Sequence, residues 1–539
     1  MLQSRIKIAV APAAGYEIHK PLFDMLSGAL AVDFRQCDTA GENYSGLDGL
    51  IVVSDEEGVV RRAMEHGVPC YQVHSLNPRT VIKPAIVKFG SSNAIHRAFR
   101  GADLTDASLK QCASVPQSLE TFAEVDGRPV WSVDSTSGCR CHHVGVDLPH
   151  FGASDYFQAH FRAARWFGMA PLLHFLQELL GAEGWKKAEP RATFIIDDPN
   201  FHHRSYGYLD FAGLIKHAKA HNYHATVATV PLDTWYFNRK VAAMFLDHPQ
   251  QVSVMMHGVN HLADELARDY RKDEALSLLA AGLRRIVAFE AESGVKVDRI
   301  MAAPHGAFKE SITEPLLRLG FEAGCVSIGS LTRWNADKNW PAELGMPMAQ
   351  ALGHEAFPVF HRTSTSETDI RLSAFLGHPV VIATHHHDYM RNFARIESLA
   401  KMVNDILSPR WMTIKDISQT NYLCRVENEV LCVTPYTRRL KIPLSPGTKT
   451  IQLLASPFFP EATIQLKEQP AKETCCIAGV PLEYSVSNNI LELYVPPKRP
   501  VDYEGVAPHP LGFWAVTRRL LAEGRDRARA MLSFATAER

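Results

Sequence analysis

The chain has 539 residues, of which 46% are hydrophobic and 21% charged, and its formal net charge is -1. This composition is typical of a soluble globular protein with several domains and excludes long disordered stretches. The charge balance offers no basic excess for nucleic acid, and no run of about 18 apolar residues predicts a transmembrane span. Ten cysteines without framework spacing, and an N-terminus unlike a signal peptide, favour a cytoplasmic location.

Residues 1–118 alternate short apolar runs with helical stretches, which predicts a small doubly wound α/β domain. This topology resembles the flavodoxin-like cores of class I glutamine amidotransferase-like domains. No catalytic elbow of the Gly-x-Cys-x-Gly kind occurs, so we expect a structural or binding role. Residues 119–185 predict a β-segment and a helical connector. Within them Cys139-Arg-Cys-His-His143 lacks a second ligand pair, and we interpret it as surface and semi-buried residues on a β-segment rather than a metal site.

Residues 186–415 continue the alternation with roughly seven β/α units, which favours a distorted barrel over an open sheet. Periodicity alone is compatible with both a barrel and an open sheet. Residues 416–500 change to short strands separated by turns, which predicts a small all-β, sandwich-like module. Residues 501–539 contain a basic amphipathic helix, Leu511–Phe534, which we expect to dock on the protein's own surface. Self-association or weak contact with a membrane surface through this helix is the alternative.

Polar residues follow apolar runs at several points of the central region. Asp197 and Asp198 come directly after one such run, and His257 and His385 come directly after two others. Parallel strands that end in polar side chains are how barrel enzymes build an active site. The spacing of His257 and His261 puts both on one face of a helix, as in zinc-chelating pairs. One aspartate would complete a three-ligand site, and the other is a candidate general base.

Four motifs occur in the order found in the polysaccharide deacetylase (NodB-homology, carbohydrate esterase) superfamily. They are Asp197-Asp198, His257-x-x-x-His261, Pro304-x-Gly306 and His385 at a strand end. Residues 190–407, the central domain only, therefore resemble this family, whose fold is a distorted barrel of about seven strands. The resemblance implies that Asp198, His257 and His261 hold one divalent metal ion. Zinc is the first choice, with cobalt, manganese or nickel as alternatives.

The resemblance also assigns catalytic roles. It implies that Asp197 is the base, that the backbone N–H of His305 binds the oxyanion, and that His385 protonates the leaving nitrogen. His386 and His387 are further candidates for the last role. The family motif that contains Pro304 usually carries an arginine that orients the base. This chain has alanine there, and we do not expect Arg299, in the preceding strand, to reach.

Other interpretations of these motifs stay open. The chain has Asp-Asp-Pro-Asn where the family has Asp-Asp-Gly, and the aspartates could cap the next turn. The histidine run at His385 could support neighbouring ligands rather than act in catalysis.

We predict a metal-dependent hydrolase of a non-peptide N-acyl C–N bond, acting on an acylated amino sugar or glycoconjugate precursor. A cytoplasmic location favours a nucleotide-linked or lipid-linked substrate over a mature polymer. One alternative is a carbohydrate-binding or assembly protein whose barrel has lost catalysis, which the missing arginine and the two flanking domains suggest. The other is an amidase for a small non-sugar amide.

Overall fold

The computed structural model describes residues 5–38, 44–116, 119–135, 138–466, 473–477 and 479–537, without the side chains of Lys272 and of residues 531–537. The chain forms two compact units. The first comprises Met1–Lys186, Asn339–Pro347 and Ser366–Leu376, and the second comprises Lys187–Lys338, Met348–Thr365 and Gly377–Arg539. Every helix in the described part of the chain is too short or too polar to span a bilayer.

A nine-stranded mixed sheet forms the first unit. Ile6–Ala11 pairs in parallel with both of its neighbours. Glu120–Val125 and Arg128–Asp134 form a hairpin that turns at Asp126-Gly127, where both residues have positive φ angles. In sheet order the strands are Val32–Gln36, Ile6–Ala11, Gly49–Val52, Cys70–Val73, Cys141–Val144, Arg128–Asp134, Glu120–Val125, Ala85–Phe89 and Asp103–Asp106. A separate pair is Arg79–Thr80 with Gln111–Cys112, and the helices are Ala13–Ala29, Glu57–Glu65, Phe157–His160, Ala170–Ala182 and Glu367–Leu376.

The cysteine–histidine segment of the first unit is part of this sheet. Trp131 Nε1 donates to His142 Nδ1 at 3.2 Å, and His142 Nε2 lies 2.9 Å from a carboxylate oxygen of Glu178. Both ring nitrogens of the buried His142 therefore have partners. Cys141 packs in an apolar cluster. The segment does form a β-strand, but Cys141 and His142 are fully buried, deeper than the surface and semi-buried positions that we expected.

A curled sheet of parallel strands forms the centre of the second unit. Its seven strands are β1 (Arg191–Asp197), β2 (Ala225–Thr229), β3 (Val252–His257), β4 (Val297–Ala302), β5 (Ala323–Cys325), β6 (Phe357–Phe360) and β7 (Val380–His385). They pair in the order β6-β5-β4-β3-β2-β1-β7. After β6, Thr363 N donates to Val381 O at 2.7 Å and Ala383 N donates to Thr363 O at 3.2 Å, so the two ends of the sheet meet. The mixed α/β class is confirmed, and the curled sheet agrees with a distorted barrel.

The sequence of β1 explains why the aspartates stand at the barrel end. All of its residues are buried, as expected for a strand with both faces covered. Ala192–Ile196 fills such a position with apolar side chains, and the first carboxylate comes where the strand ends. The remaining helices of the unit are Phe211–Ala220, Arg239–Asp247, Lys272–Ser293, Thr313–Arg318, Ile328–Trp334, Ala394–Leu407, Ile414–Ser418 and Phe513–Ala537. Short strands are Lys186–Lys187 at the boundary between the units, Ser205–Tyr206, Leu209–Asp210, Gln350–Leu352 and Arg410–Trp411.

Short strands also form the predicted all-β region. One sheet contains Tyr422–Glu427, Val430–Pro435, Thr450–Leu453 and Ala462–Gln465, and the other contains Arg439–Pro443, Ile490–Tyr494, Val480–Ser487 and Glu473–Ile477. Leucines and isoleucines from both sheets share one core. The flavodoxin-like and sandwich-like assignments of the flanking parts, and the five-part division of the chain, stay predictions.

Candidate metal and catalytic site

Asp197 is a buried carboxylate at the end of β1. Arg362 Nη2 donates to both of its oxygens, at 2.8 and 2.7 Å. Burial raises the pKa of Asp197, but the positive charge of Arg362 outweighs it and brings the pKa below the usual range. Asp197 is therefore an ionised hydrogen-bond acceptor.

Arg362 contacts the candidate base Asp197 and can orient it, a role for which we had expected no residue from the sequence. It follows β6 by two residues, and the bridge of Thr363 to β7 brings it to the same barrel end. Arg299, by contrast, binds Glu290 at 2.7 Å. As expected, Arg299 therefore does not contact Asp197, and the guanidinium comes from a different strand end.

Asp198, His257 and His261 bring three potential ligand atoms together. Asp198 Oδ1 lies 2.8 Å from His261 Nε2 and 3.9 Å from His257 Nε2. His257 Nδ1 lies 3.3 Å from Ala302 O, and a donor Nδ1–H there leaves the Nε2 lone pair directed at the carboxylate. Burial lowers the pKa of His257 to about 4, so the imidazole is neutral at neutral pH. Two imidazoles and a carboxylate suit a divalent ion such as zinc.

His257 and His261 do not share a helical face, and that expectation is wrong. His257 ends β3, and His261 lies in the following loop with a φ of 57°. The chain turns back at Gly258, whose φ is 62°. A Cβ there would lie 2.2 Å from Glu265 Oε1 and 2.5 Å from Pro304 Cγ, so only glycine fits. The tight loop therefore brings the side chains of His257 and His261 close together, as a helix would have done.

Glu265 holds this loop in place. Its buried carboxylate accepts the backbone N–H groups of Val259 at 2.8 Å, Asn260 at 2.8 Å and His261 at 2.9 Å. Burial raises the pKa of Glu265 even though these donors favour the ionised form. No local sequence pattern marked this residue.

Replacing Glu265 by alanine is expected to weaken metal binding about 10- to 100-fold, because three buried N–H groups lose their acceptor and the His261 loop is released. Competition titration against a chromogenic chelator measures this affinity. Glu461→Ala, at an exposed glutamate of the same unit, is the matched control and should bind like the wild type. Equal affinity in both variants would show that the loop holds His261 without Glu265.

His305 and His385 lie at the same barrel end, and both are exposed. The His305 ring centroid is 5.0 Å from that of His261, and its φ of 55° lies in the left-handed region. His385 is the register partner of Asp197 across β1 and β7. His386 turns elsewhere, with its Nε2 3.6 Å from Asp526. Among the three consecutive histidines, His385 is thus the one placed beside Asp197.

The C-terminal helix, Phe513–Ala537, contributes side chains to this site that the sequence did not predict. Arg519 binds Asp233 through Nε, at 3.0 Å, and its Nη1 lies 3.5 Å from Asp198 Oδ1. Arg518 donates to His261 O at 2.5 Å. Because these arginines lie more than 250 residues beyond the aspartates, no spacing rule could connect them. The expected docking of the helix on the protein is therefore present, and it is largely polar.

No protein-family model and no curated protein matches the sequence. Among solved structures, a protein from Mycobacterium smegmatis described as a polysaccharide deacetylase is similar, with a TM-score of 0.33 and 13% identity over 44% of this chain and 91% of that one. A family 4 carbohydrate esterase from Streptomyces lividans has a TM-score of 0.26 and 15% identity over 40% and 88%. A Thermoplasma acidophilum protein described as part of a GMP synthase has a TM-score of 0.23 and 13% identity over 34% and 97%. The first two of these structures match 44% and 40% of the chain.

Proposed function

We propose that the protein is a metal-dependent hydrolase that removes an N-acyl group by cleaving a non-peptide C–N bond. One observation carries this proposal. An ionised carboxylate, Asp197, bound by Arg362, stands beside a second carboxylate and two histidines whose ligand atoms converge. A general base next to a three-ligand metal site is the minimal equipment for hydrolysis by an activated water.

The residues present fit a divalent ion. Asp198, His257 and His261 would hold it, since their three ligand atoms lie within 4.8 Å of one another. Such an ion, when bound, lowers the pKa of water and polarises an acyl oxygen as a Lewis acid. Zinc is our first choice, with cobalt, manganese and nickel as alternatives for this donor set.

Other residues of the site transfer the protons and bind the developing negative charge. Asp197 accepts the proton of the attacking water, and Arg362 keeps the carboxylate ionised and oriented for this step. The backbone N–H of His305 donates to the oxygen on which negative charge develops as the C–O bond forms. His385, beside Asp197, gives a proton to the nitrogen when the C–N bond breaks. The products are a carboxylic acid and an amine.

Acylated amino sugars or glycoconjugate precursors are the substrate class that we propose. Trp235 is an exposed aromatic close to the site, since it lines one cavity together with Asp233 and Arg519. Its ring can stack on a sugar. An amidase for small non-sugar amides is the nearest alternative. The alternative of a non-catalytic binding protein rested on the missing arginine and on the flanking domains, and the contact of Arg362 with Asp197 removes the first of these grounds.

We expect wild-type protein reconstituted with zinc to hold about one equivalent of metal and to release acetate from N-acetylated amino sugars. His257→Ala should lose both properties, because one of three ligands is gone. Elemental analysis and an acetate assay measure them, with free, nucleotide-linked and lipid-linked amino sugars and simple acetamides as substrates. His354→Ala, at an exposed histidine of the same unit, is the control and should behave like the wild type.

Equal metal in wild type and His257→Ala, or none in either, would contradict the metal centre. Bound metal without release of any acyl group would favour the carbohydrate-binding alternative. Hydrolysis of simple acetamides alone would select the small-amide amidase.

A further inference from the structure

The C-terminal helix is oriented with much of its polar side inward. Between Phe513 and Ala530 its buried or half-buried charged side chains include Arg519, Glu523 and Asp526. Arg519 binds Asp233, and Asp526 accepts a hydrogen bond from Tyr206 at 3.4 Å. A small apolar cluster that includes Ala515 and Val516 also supports this docking. An amphipathic helix packed mainly through its charges leaves much of its apolar side uncovered.

Large apolar side chains lie on the outer side of this helix. Phe513 is 84% exposed, Trp514 66%, Leu520 54% and Leu521 64%. They continue onto the barrel, because Leu511 and Leu520 line a cavity of about 390 Å³ together with Trp235. Trp235 is itself 72% exposed and stands beside the exposed Tyr236, with ring centroids 5.9 Å apart. We call this set of seven residues the aromatic surface: Trp235, Tyr236, Leu511, Phe513, Trp514, Leu520 and Leu521. A contiguous apolar surface of this kind indicates a binding partner.

The charges around the aromatic surface have one predominant sign. Among the described side chains of the helix, the exposed charged ones are Arg525, which pairs with Asp526 at 2.9 Å, and Arg529. Arg239 and Lys240, also exposed, follow Tyr236 by three and four residues. Three acids line the cavity: Asp233 and Glu523 pair with Arg519 and Arg527, and the third is Glu292. A chain with a net charge of -1 therefore gathers cations at this surface.

The exposed aromatic rings and the neighbouring cations together indicate what binds to the aromatic surface. Tryptophan and tyrosine prefer the boundary between headgroups and acyl chains, and flanking arginine and lysine are attracted to anionic lipids. A two-fold contact between two copies would place the same arginines against one another, which like-charge repulsion disfavours. We propose that the aromatic surface binds the interface of an anionic lipid bilayer. This binding is independent of the proposed hydrolysis, and it would bring the barrel end to membrane-bound substrates.

Flotation of the full-length protein with lipid vesicles tests this proposal. Vesicles of phosphatidylcholine with about a quarter phosphatidylglycerol should carry the wild type, and vesicles of phosphatidylcholine alone should carry much less. Phe513→Ser combined with Trp514→Ser should weaken partitioning about tenfold or more, because two exposed interfacial rings are lost. Arg529→Gln should weaken it roughly fivefold.

Val426→Ser is the matched control, since Val426 is 49% exposed on the all-β part of the same unit. It should float like the wild type. No flotation with anionic vesicles, equal flotation with neutral ones, or equal flotation of the Phe513/Trp514 variant would overturn the proposal. Analytical ultracentrifugation tests whether a second copy of the chain binds this surface instead. A concentration-dependent dimer that the same double variant abolishes, without vesicle binding, would assign the surface to a second copy.

Discussion

Replacing Asp197 by asparagine should lower the rate of acyl hydrolysis by about 10²- to 10⁴-fold, the usual contribution of a positioned general base. The asparagine amide is nearly isosteric and keeps an oxygen near Arg362, but it cannot accept the proton of the attacking water. Because Asp198, His257 and His261 are untouched, the variant should still hold about one equivalent of metal. Steady-state acetate release and elemental analysis on the same preparation measure both quantities.

Asp198→Asn is the matched comparison, since it makes the same chemical change one residue along the chain. It should lose metal as well as activity, because Asp198 Oδ1 is one of the three converging atoms. The pair thus separates a base from a ligand. If Asp197→Asn lost the metal and Asp198→Asn kept it, the two roles would be exchanged.

The sequence predicted the elements of the barrel because its parallel strands are buried on both faces. Such strands appear as continuous apolar runs, and the first polar residue marks the strand end. This rule located Asp197, Asp198, His257 and His385 without any structure. The same rule also marks Arg362 and Asp233, each within a few residues of a strand end, when it is applied to every strand.

Other parts of the site could not be predicted from the sequence, for two physical reasons. A spacing of four residues fits a helix and a tight loop equally well, and the close packing of Gly258 against Glu265 decided for the loop. The arginines of the C-terminal helix depend on a contact between segments more than 250 residues apart. Periodicity describes one segment at a time, so it contains no information on such a contact.

Replacing Arg362 by methionine should destabilise the second unit by about 3–5 kcal/mol, because it leaves the Asp197 carboxylate buried without its cation. For a unit of this size, the midpoint of thermal unfolding should fall by roughly 4–7 °C. Differential scanning calorimetry of chelator-treated protein measures it without a contribution from metal. Lys401→Met, which breaks an exposed pair with Asp405, is the control and should change the midpoint little.

The pH dependence distinguishes this mechanism from a simple packing defect. In the wild type the pKa of Asp197 lies below its usual range, so its ionisation stabilises the fold at neutral pH and this contribution is lost as the pH falls. Without Arg362, burial should raise the folded-state pKa above the usual value of about 3.9, and stability then declines as the pH rises. The deficit of Arg362→Met should therefore shrink between pH 7 and pH 4.

The double variant Arg362→Met/Asp197→Asn, which buries no charge, should recover much of the lost stability at pH 7, with an interaction free energy of several kcal/mol between the two positions. A deficit that is constant with pH and unchanged in the double variant would mean that Arg362 acts through packing alone, and the orientation of Asp197 would then need another partner.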